Sequence, residues 1–224
     1  MKKIILVASA VAMLSSCCMD MESYYWKRFD YKEQPYENYA ADVMTTCVTK
    51  PLLTLDYIQR VYETARGKKI VSGSYFVYDE FQYMVGPIEC KVEGKDTLWS
   101  FDSGRYLVKR DDACTWNVTM ADKKDGDFSY DFHLTAVMPE HVEPKTVRMP
   151  WKIRLEGSRY ENSRYHLDFV TSDFSSRCSA PWSFDSHELL YTGTLAIRFF
   201  KDDAELDWLT AVYGEGSVLY QKSF

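Results

Sequence analysis

The sequence is short of glycine, histidine and basic charge. Its 224 residues include 10 glycines and 4 histidines, and its 27 lysines and arginines are outnumbered by 33 aspartates and glutamates. The net charge of −6 does not provide the basic surface that nucleic acid binding requires, so we exclude nucleic acid as a partner. The aromatic content of 16% argues against a disordered chain and favours a sizeable core.

The familiar catalytic signatures are also missing. The sequence contains no Walker A, GxGxxG, GxSxG or HExxH motif. Their absence argues against nucleotide-dependent enzymes, α/β-hydrolases and zinc peptidases of those classes, although it leaves other catalysis open. We predict that the protein binds no cofactor, and we favour a protein without catalytic activity.

A long apolar run occurs at the start of the chain. Lys2 and Lys3 precede an apolar stretch from Ile4 to Leu14, which is the layout of a secretory signal and is too short to cross a membrane. The ending Leu14-Ser15-Ser16-Cys17 resembles the lipobox of bacterial lipoproteins. The resemblance implies that residues 1–16 are a signal peptide and that Cys17 becomes the lipidated first residue of the mature chain.

The residues that follow Cys17 indicate where the mature protein is located. The resemblance implies several acyl chains on Cys17, and one chain alone would hold a protein only marginally at a membrane. Asp20 and Glu22 follow closely and resemble the export signal of surface lipoproteins in some Gram-negative gut bacteria. We therefore expect a lipid anchor in the outer membrane, with surface display favoured over a periplasm-facing position.

The cysteines indicate at most limited cross-linking. Of six cysteines, lipidation of Cys17 leaves an odd number for pairing. An exported chain meets an oxidising compartment, so bridges are permitted. We expect a single bridge among Cys90, Cys114 and Cys178, with its pairing undetermined, and the remaining thiols as small apolar residues.

Two amphipathic helices are predicted at the start of a single domain that spans residues 38–224, after an aromatic-rich tether at 17–37. Pro51 is expected to end the first helix, and Thr54 to cap the second. Apolar residues recur at helical spacing at Ala40, Val43, Met44, Cys47 and Val48, and again at Leu55, Ile58, Val61, Tyr62 and Ala65.

Beyond Lys69 the apolar period changes to two. The alternation and its turn signals predict about ten strands, and it is clearest from Phe128 to Met138. We predict a mainly β (α+β) fold, an antiparallel β-sandwich or open barrel with the two helices at its N-terminal side. A small α+β domain followed by a β domain is the alternative. Residues 174–187 are expected to form a long loop.

The first candidate site combines two short motifs, Asp131-x-His133 and His166-x-Asp168. Alternation places all four side chains on the polar faces of their strands. If the two strands were neighbours, the imidazoles and carboxylates could hold zinc or another divalent ion, or perform acid–base chemistry. The alternative, which carries more weight, is that they are ordinary solvent-facing residues.

The second candidate site is an aromatic platform for a glycan or peptide ligand. Trp99, Tyr160 and Trp182 are its named candidates, and Trp208 and Tyr165 are further aromatic residues that could join them. Most strand aromatics are core residues. Trp182 is the preferred one, because it follows Pro181 in a polar stretch that the proline stiffens.

These observations lead to one functional hypothesis and two alternatives. The anchor, the acidic domain and the aromatic excess favour a non-catalytic binding or adhesion module on the outer membrane, whose ligand is a glycan or a peptide. The first alternative is a structural subunit of an envelope or fimbria-like assembly. The second is a metal-assisted hydrolase that uses the Asp131, His133, His166 and Asp168 side chains.

Overall fold

The computed structural model describes residues 35–65, 68–75, 87–125, 128–138, 148–161, 163–178, 189–214 and 217–224. In these ranges a helical rod is followed by strands alone. Residues Glu37–Phe224 form one compact unit. The tether, Cys17 and Cys18, and Trp182 lie outside the described residues.

The helical rod comprises helix α1 (Tyr36–Val43), a π-helical segment (Met44–Thr49) and helix α2 (Lys50–Ala65). The predicted break at Pro51 is wrong. Lys50 N–H donates to Thr45 O, and this wider turn accommodates a proline that has no N–H of its own. In this π-helical register the Thr46 carbonyl would accept a hydrogen bond from residue 51, but Pro51 has no N–H to donate. The Tyr106 hydroxyl donates to Thr46 O instead, at 3.1 Å.

The prediction that Thr54 caps a second helix is wrong, because Thr54 lies inside α2. Its side chain is fully buried, and its hydroxyl donates back to Lys50 O at 3.0 Å. The rod therefore runs from Tyr36 to Ala65 without a new start.

The sheet is a simple meander, in which each strand pairs antiparallel with the next strand in the sequence. The mainly β fold is confirmed, and the described residues contain eleven strands in one open sheet. The strands are β1 (Gly73–Tyr75), β2 (Ile88–Glu93), β3 (Asp96–Phe101), β4 (Tyr106–Arg110), β5 (Thr115–Asp125), β6 (Phe128–Val137), β7 (Arg148–Tyr160), β8 (Tyr165–Cys178), β9 (Leu189–Lys201), β10 (Ala204–Gly214) and β11 (Ser217–Lys222).

One face of the sheet carries the core. Its buried side chains form a continuous row of cross-strand partners from β2 to β7, at Cys90, Trp99, Val108, Val118, Leu134 and Leu155. The helical rod covers this inner face. Tyr62 of α2 contacts the Trp99 ring of β3, and Tyr39 of α1 meets the Phe199 ring of β9 edge-on at 5.1 Å. The rod thus reaches residues of β3 and β9.

Two local predictions are corrected by the sheet. Residues 174–178, expected in a loop, belong to β8, and residues 179–188 lie outside the described part. Cys90 and Cys114 are free thiols, so the expected bridge among Cys90, Cys114 and Cys178 is wrong. Cys90 belongs to β2 and Cys114 precedes β5, so three strand spacings, about 14 Å, separate them. A disulfide needs Cα atoms within about 7 Å.

Candidate functional site

The four predicted metal ligands occupy the outer face, as the alternation indicated, but they do not converge. Asp131 and His133 belong to β6, and His166 and Asp168 belong to β8. The adjacency that a shared metal site would require is absent, because β7 runs between the two strands. Within the described ranges, no three His, Cys, Asp or Glu side chains are close enough together to hold a metal ion.

Each motif instead makes local contacts. The His133 ring lies 2.9 Å from Asn117 Oδ1, and Ser158 Oγ donates to Asp168 Oδ1 at 2.6 Å. His166 Nε2 lies 3.9 Å from Asp168 Oδ1. The motif residues therefore act as neighbours on an outer surface and not as one cluster.

The predicted aromatic residues separate into core and surface. Trp99 is 0% exposed and its indole N–H donates to the Tyr62 hydroxyl at 3.3 Å, so the prediction that Trp99 meets a ligand is wrong. Tyr160 is 42% exposed and Trp208 is 40% exposed, both on the outer face. Of the named candidates in the described part, Tyr160 can therefore meet a ligand.

Tyr160 belongs to a row of three rings, which we call the rim platform (Tyr160, His166 and Phe200). These residues are cross-strand partners on β7, β8 and β9. The ring centroids of Tyr160 and His166 are 5.8 Å apart. The rings of His166 and Phe200 stack in parallel at 4.8 Å, with an interplanar angle of 2°. Together they form an aromatic strip on the outer face at the edge where β7 ends and β8 begins.

A clamp between two turns stiffens the rim platform. Asp202 N–H donates to Arg164 O at 2.8 Å, which joins the β9–β10 turn to the β7–β8 turn. The Arg164 guanidinium also makes a forked contact with the Asp202 carboxylate, with Nε at 2.9 Å from Oδ1. This pairing lowers the pKa of Asp202 from its ordinary value. A platform between two joined turns has little freedom to lose when a ligand binds.

Polar groups lie beside the rim platform on the outer face. The Ser158–Asp168 pair lies two residue pairs along β7 and β8 from Tyr160 and His166, and Arg198 lies 3.6 Å from Glu205 across β9 and β10. Rings beside carboxylates and a guanidinium can stack against an apolar face while the charged groups accept or donate hydrogen bonds.

A second cluster, which the sequence reading missed, is buried under the helical rod. The Arg159 side chain is 1% exposed, its Nε lies 2.9 Å from Glu161 Oε1, and its Nη1 donates to Asp42 of α1 at 3.0 Å. Burial raises the pKa of Glu161 to about 7, against the opposing effect of Arg159. Burial likewise raises the pKa of the Cys47 thiol.

This buried cluster fastens the rod to the sheet. Arg159 reaches from β7 to Asp42, and its guanidinium also lies 5.7 Å from the centre of the Tyr39 ring. A signal for it was present in the sequence. Extending the inner-facing alternation of Trp151, Ile153 and Leu155 along β7 leads to Arg159, a charge where an apolar residue is expected.

The fold and the start of the chain together define a class of protein, a lipid-anchored domain built of one antiparallel sheet and a covering helix. Residues 1–17 match the family model of the prokaryotic membrane lipoprotein lipid attachment site. The lipobox at Leu14–Cys17 is therefore confirmed, and the chain is a membrane-anchored lipoprotein. No curated protein and no solved structure matches the chain.

The described helices are all too short or too polar to span a membrane.

Proposed function

We propose that this lipoprotein is a non-catalytic binding module that holds a glycan against the rim platform at the surface of the outer membrane. The observation that carries the proposal is the row of exposed Tyr160 and half-buried His166 and Phe200 on a clamped edge of the sheet. The apolar face of a sugar ring stacks on such a strip. The Ser158–Asp168 pair is placed to bind its hydroxyl groups.

The outer-membrane position rests on the acidic residues behind the lipobox, Asp20 and Glu22. Display on the cell surface would expose the rim platform to extracellular glycans. Protease treatment of intact cells tests this part, since a surface-displayed protein is digested and a periplasm-facing one is protected.

The experiment for the site is a screen of the mature protein against a panel of immobilised oligosaccharides, followed by variants. Tyr160→Ala should weaken binding to the identified glycan by about 2 kcal/mol, as the loss of a central aromatic contact does. Its Tm should stay within a few degrees of the native value, because the Tyr160 ring is substantially exposed.

Leu107→Ala is the matched control. Leu107 lies on β4, is 43% exposed and is removed from the rim platform by two strands or more. Its truncation should leave glycan binding unchanged. Absence of any glycan ligand, equal binding by Tyr160→Ala, or turnover of a bound glycan would each contradict the proposal.

Trp182, which lies outside the described residues, stays a predicted second anchor. Trp182→Ala should weaken binding of the same glycan and leave the Tm of the protein nearly unchanged. A fall in stability of about 3–5 kcal/mol would instead show that Trp182 covers part of the core.

A further inference from the structure

A cleft of ≈ 410 Å³ opens on the outer face between β7 and β8, and we call it the bulge cleft. Its lining includes Thr135, Lys152, Arg154, Phe174 and Ser175. Lys152 is eight positions before Tyr160 on the same strand, so roughly 25 Å separates the cleft from the rim platform. The bulge cleft is therefore a separate site.

The cleft results from two irregularities that face each other in the sheet. The β7–β8 register shifts between Ile153 and Glu156, and the β8–β9 register shifts between Ser172 and Ser175. Such bulges bend a strand, interrupt its ladder and are common beside functional sites. Ile153 and Phe174 remain register partners beside the shift, so the cleft lies over paired strands next to the irregular backbone.

The irregular backbone is fixed by specific contacts. Asp173 has a positive φ of 48°, and a Cβ on Gly193, whose φ is 120°, would lie 2.5 Å from Asp173 O. Only glycine therefore permits this approach of β9. The Leu155 N–H donates to the Thr171 hydroxyl at 2.8 Å, so its hydrogen bond is kept although the ladder is interrupted. The cleft is thus a built feature of the sheet.

The lining combines cations, hydroxyl groups and an apolar floor. Lys152 and Arg154 are both exposed, and the Arg154 side chain is 77% exposed with Glu156 at 3.7 Å. Ile153 and Phe174, which are 6% and 3% exposed, lie at the base of the cleft, half-buried Val137 adds an apolar side chain, and Asp173 is the acid of the lining. The lining itself holds two cations and one acid, and Glu156 lies beside Arg154 at its margin.

We propose that the bulge cleft binds a free carboxylate carried on a small apolar group. The guanidinium fork of Arg154 matches a carboxylate, and Lys152 adds a second positive charge. The apolar part would lie against Val137 of β6. Asp173 disfavours ligands with several negative charges, so a monoanion fits better than a polyanion. The volume lies within the range of small-molecule sites.

Two carboxylate probes test this, and each is paired with its neutral amide. Acetyl-Gly-Gly-Leu represents a peptide C terminus, and hexanoate represents a non-peptide acid. In NMR titrations of the mature protein, at least one free acid should shift the signals of cleft residues, and its amide should bind at least ten-fold more weakly. Whichever acid binds identifies the source of the carboxylate. Failure of both acids, or equal binding of an amide, would overturn the proposal.

Arg154→Gln and Lys152→Gln should each weaken the binding acid roughly ten-fold and leave the Tm unchanged, since both side chains are exposed. Lys109→Gln, an exposed lysine of β4, is the matched control and should have no effect. An equal loss in the Lys109 variant would show non-specific attraction and would overturn the site. Tyr160→Ala should leave acid binding intact, so the rim platform and the bulge cleft are tested separately.

Discussion

Glu161 couples a single proton to the stability of the fold. Burial raises its pKa from the ordinary value of 4.5 to about 7, although the neighbouring Arg159 opposes the shift. The folded state therefore holds a proton at pH values where the unfolded state has released it. The stability from this proton is fully present below about pH 4.5 and is lost as the pH rises through about 7.

Glu161→Gln should remove this pH dependence, because the amide stays neutral. We expect the native free energy of unfolding to fall by about 1.4 kcal/mol per unit of pKa difference across this window, and the variant to fall less. Urea unfolding between pH 5 and pH 8 measures both. Glu93→Gln, on an exposed β2 residue, is the control and should keep the native slope. A Glu161 variant with the native slope would contradict the assignment.

At the scale of single residues, the sequence predicted exposure well only where neighbours differ in polarity. Asp131 and His133 alternate with apolar residues, and both face outwards as expected. Leu98 precedes Trp99 on the opposite face and Phe101 shares the face of Trp99, so apolar side chains fall on both faces of β3 and the pattern does not separate core from surface. Tyr160 was identified by residue type, but its stacked partners His166 and Phe200 depend on register across three strands.

Strand β6 shows how one element depends on its inner face. Phe132 is 3% exposed there, so Phe132→Asp would bury an unpaired charge at a cost of several kcal/mol, against a total stability of about 5–15. We expect the variant not to fold, which circular dichroism and solubility would show. Thr119→Asp, on the outer face of β5, is the control and should fold. A native-like circular dichroism spectrum of the Phe132→Asp variant would show that Phe132 lies on the outer face of β6 and not on the inner face.

The close approach of β6 and β7 depends on a glycine. A Cβ on Gly157 would lie 2.4 Å from Phe132 Cβ and 2.5 Å from Asp131 O. Gly157→Ala should therefore lower the free energy of unfolding by about 2 kcal/mol or more, as overpacking does. Gly214→Ala makes the matched comparison, because its nearest neighbour is the Ser217 side chain at 3.6 Å. Equal Tm values for the two variants would disprove the tight packing.

The elements themselves were largely predictable, and their interruptions were not. Alternation from Phe128 to Met138 identified β6 and its inner face. Pro51 indicated a helix end because the compensating donor, the Tyr106 hydroxyl, lies far along the chain. The bulges beside the cleft depend on how β7, β8 and β9 pair with one another. The sequence of any one of these strands does not indicate them.

For the whole molecule, the anchor decides where the domain is found. Cys17→Ala should prevent lipidation and move the protein from the membrane to the soluble fraction, because stable anchoring requires acyl chains. Fractionation and immunoblotting measure this. Cys18→Ala is the control and should remain membrane-bound. If the Cys18 variant is released and the Cys17 variant is not, the cleavage site lies one residue further on.

The fold class was predictable for the whole molecule because antiparallel neighbours need only short turns, and the sequence shows turn signals between its strands. The placement of the helical rod was not predictable. It depends on contacts such as the ion pair between Asp42 and Arg159, which are 117 positions apart. The sequence could not decide the conditional metal-cluster hypothesis for a related reason, since it does not show that the meander inserts β7 between the two strands.

The meander has a consequence for the order in which the exported chain matures. Each described strand can join its predecessor as soon as it emerges, so the ladder grows with translocation. The helical rod emerges first, yet Thr49 bonds the Tyr191 hydroxyl of β9, 142 positions later. Strand β3 can already cover Tyr62, but Tyr39 stays uncovered until Phe199 of β9 arrives. A chain halted before β9 would therefore present the start of the rod to proteases and chaperones.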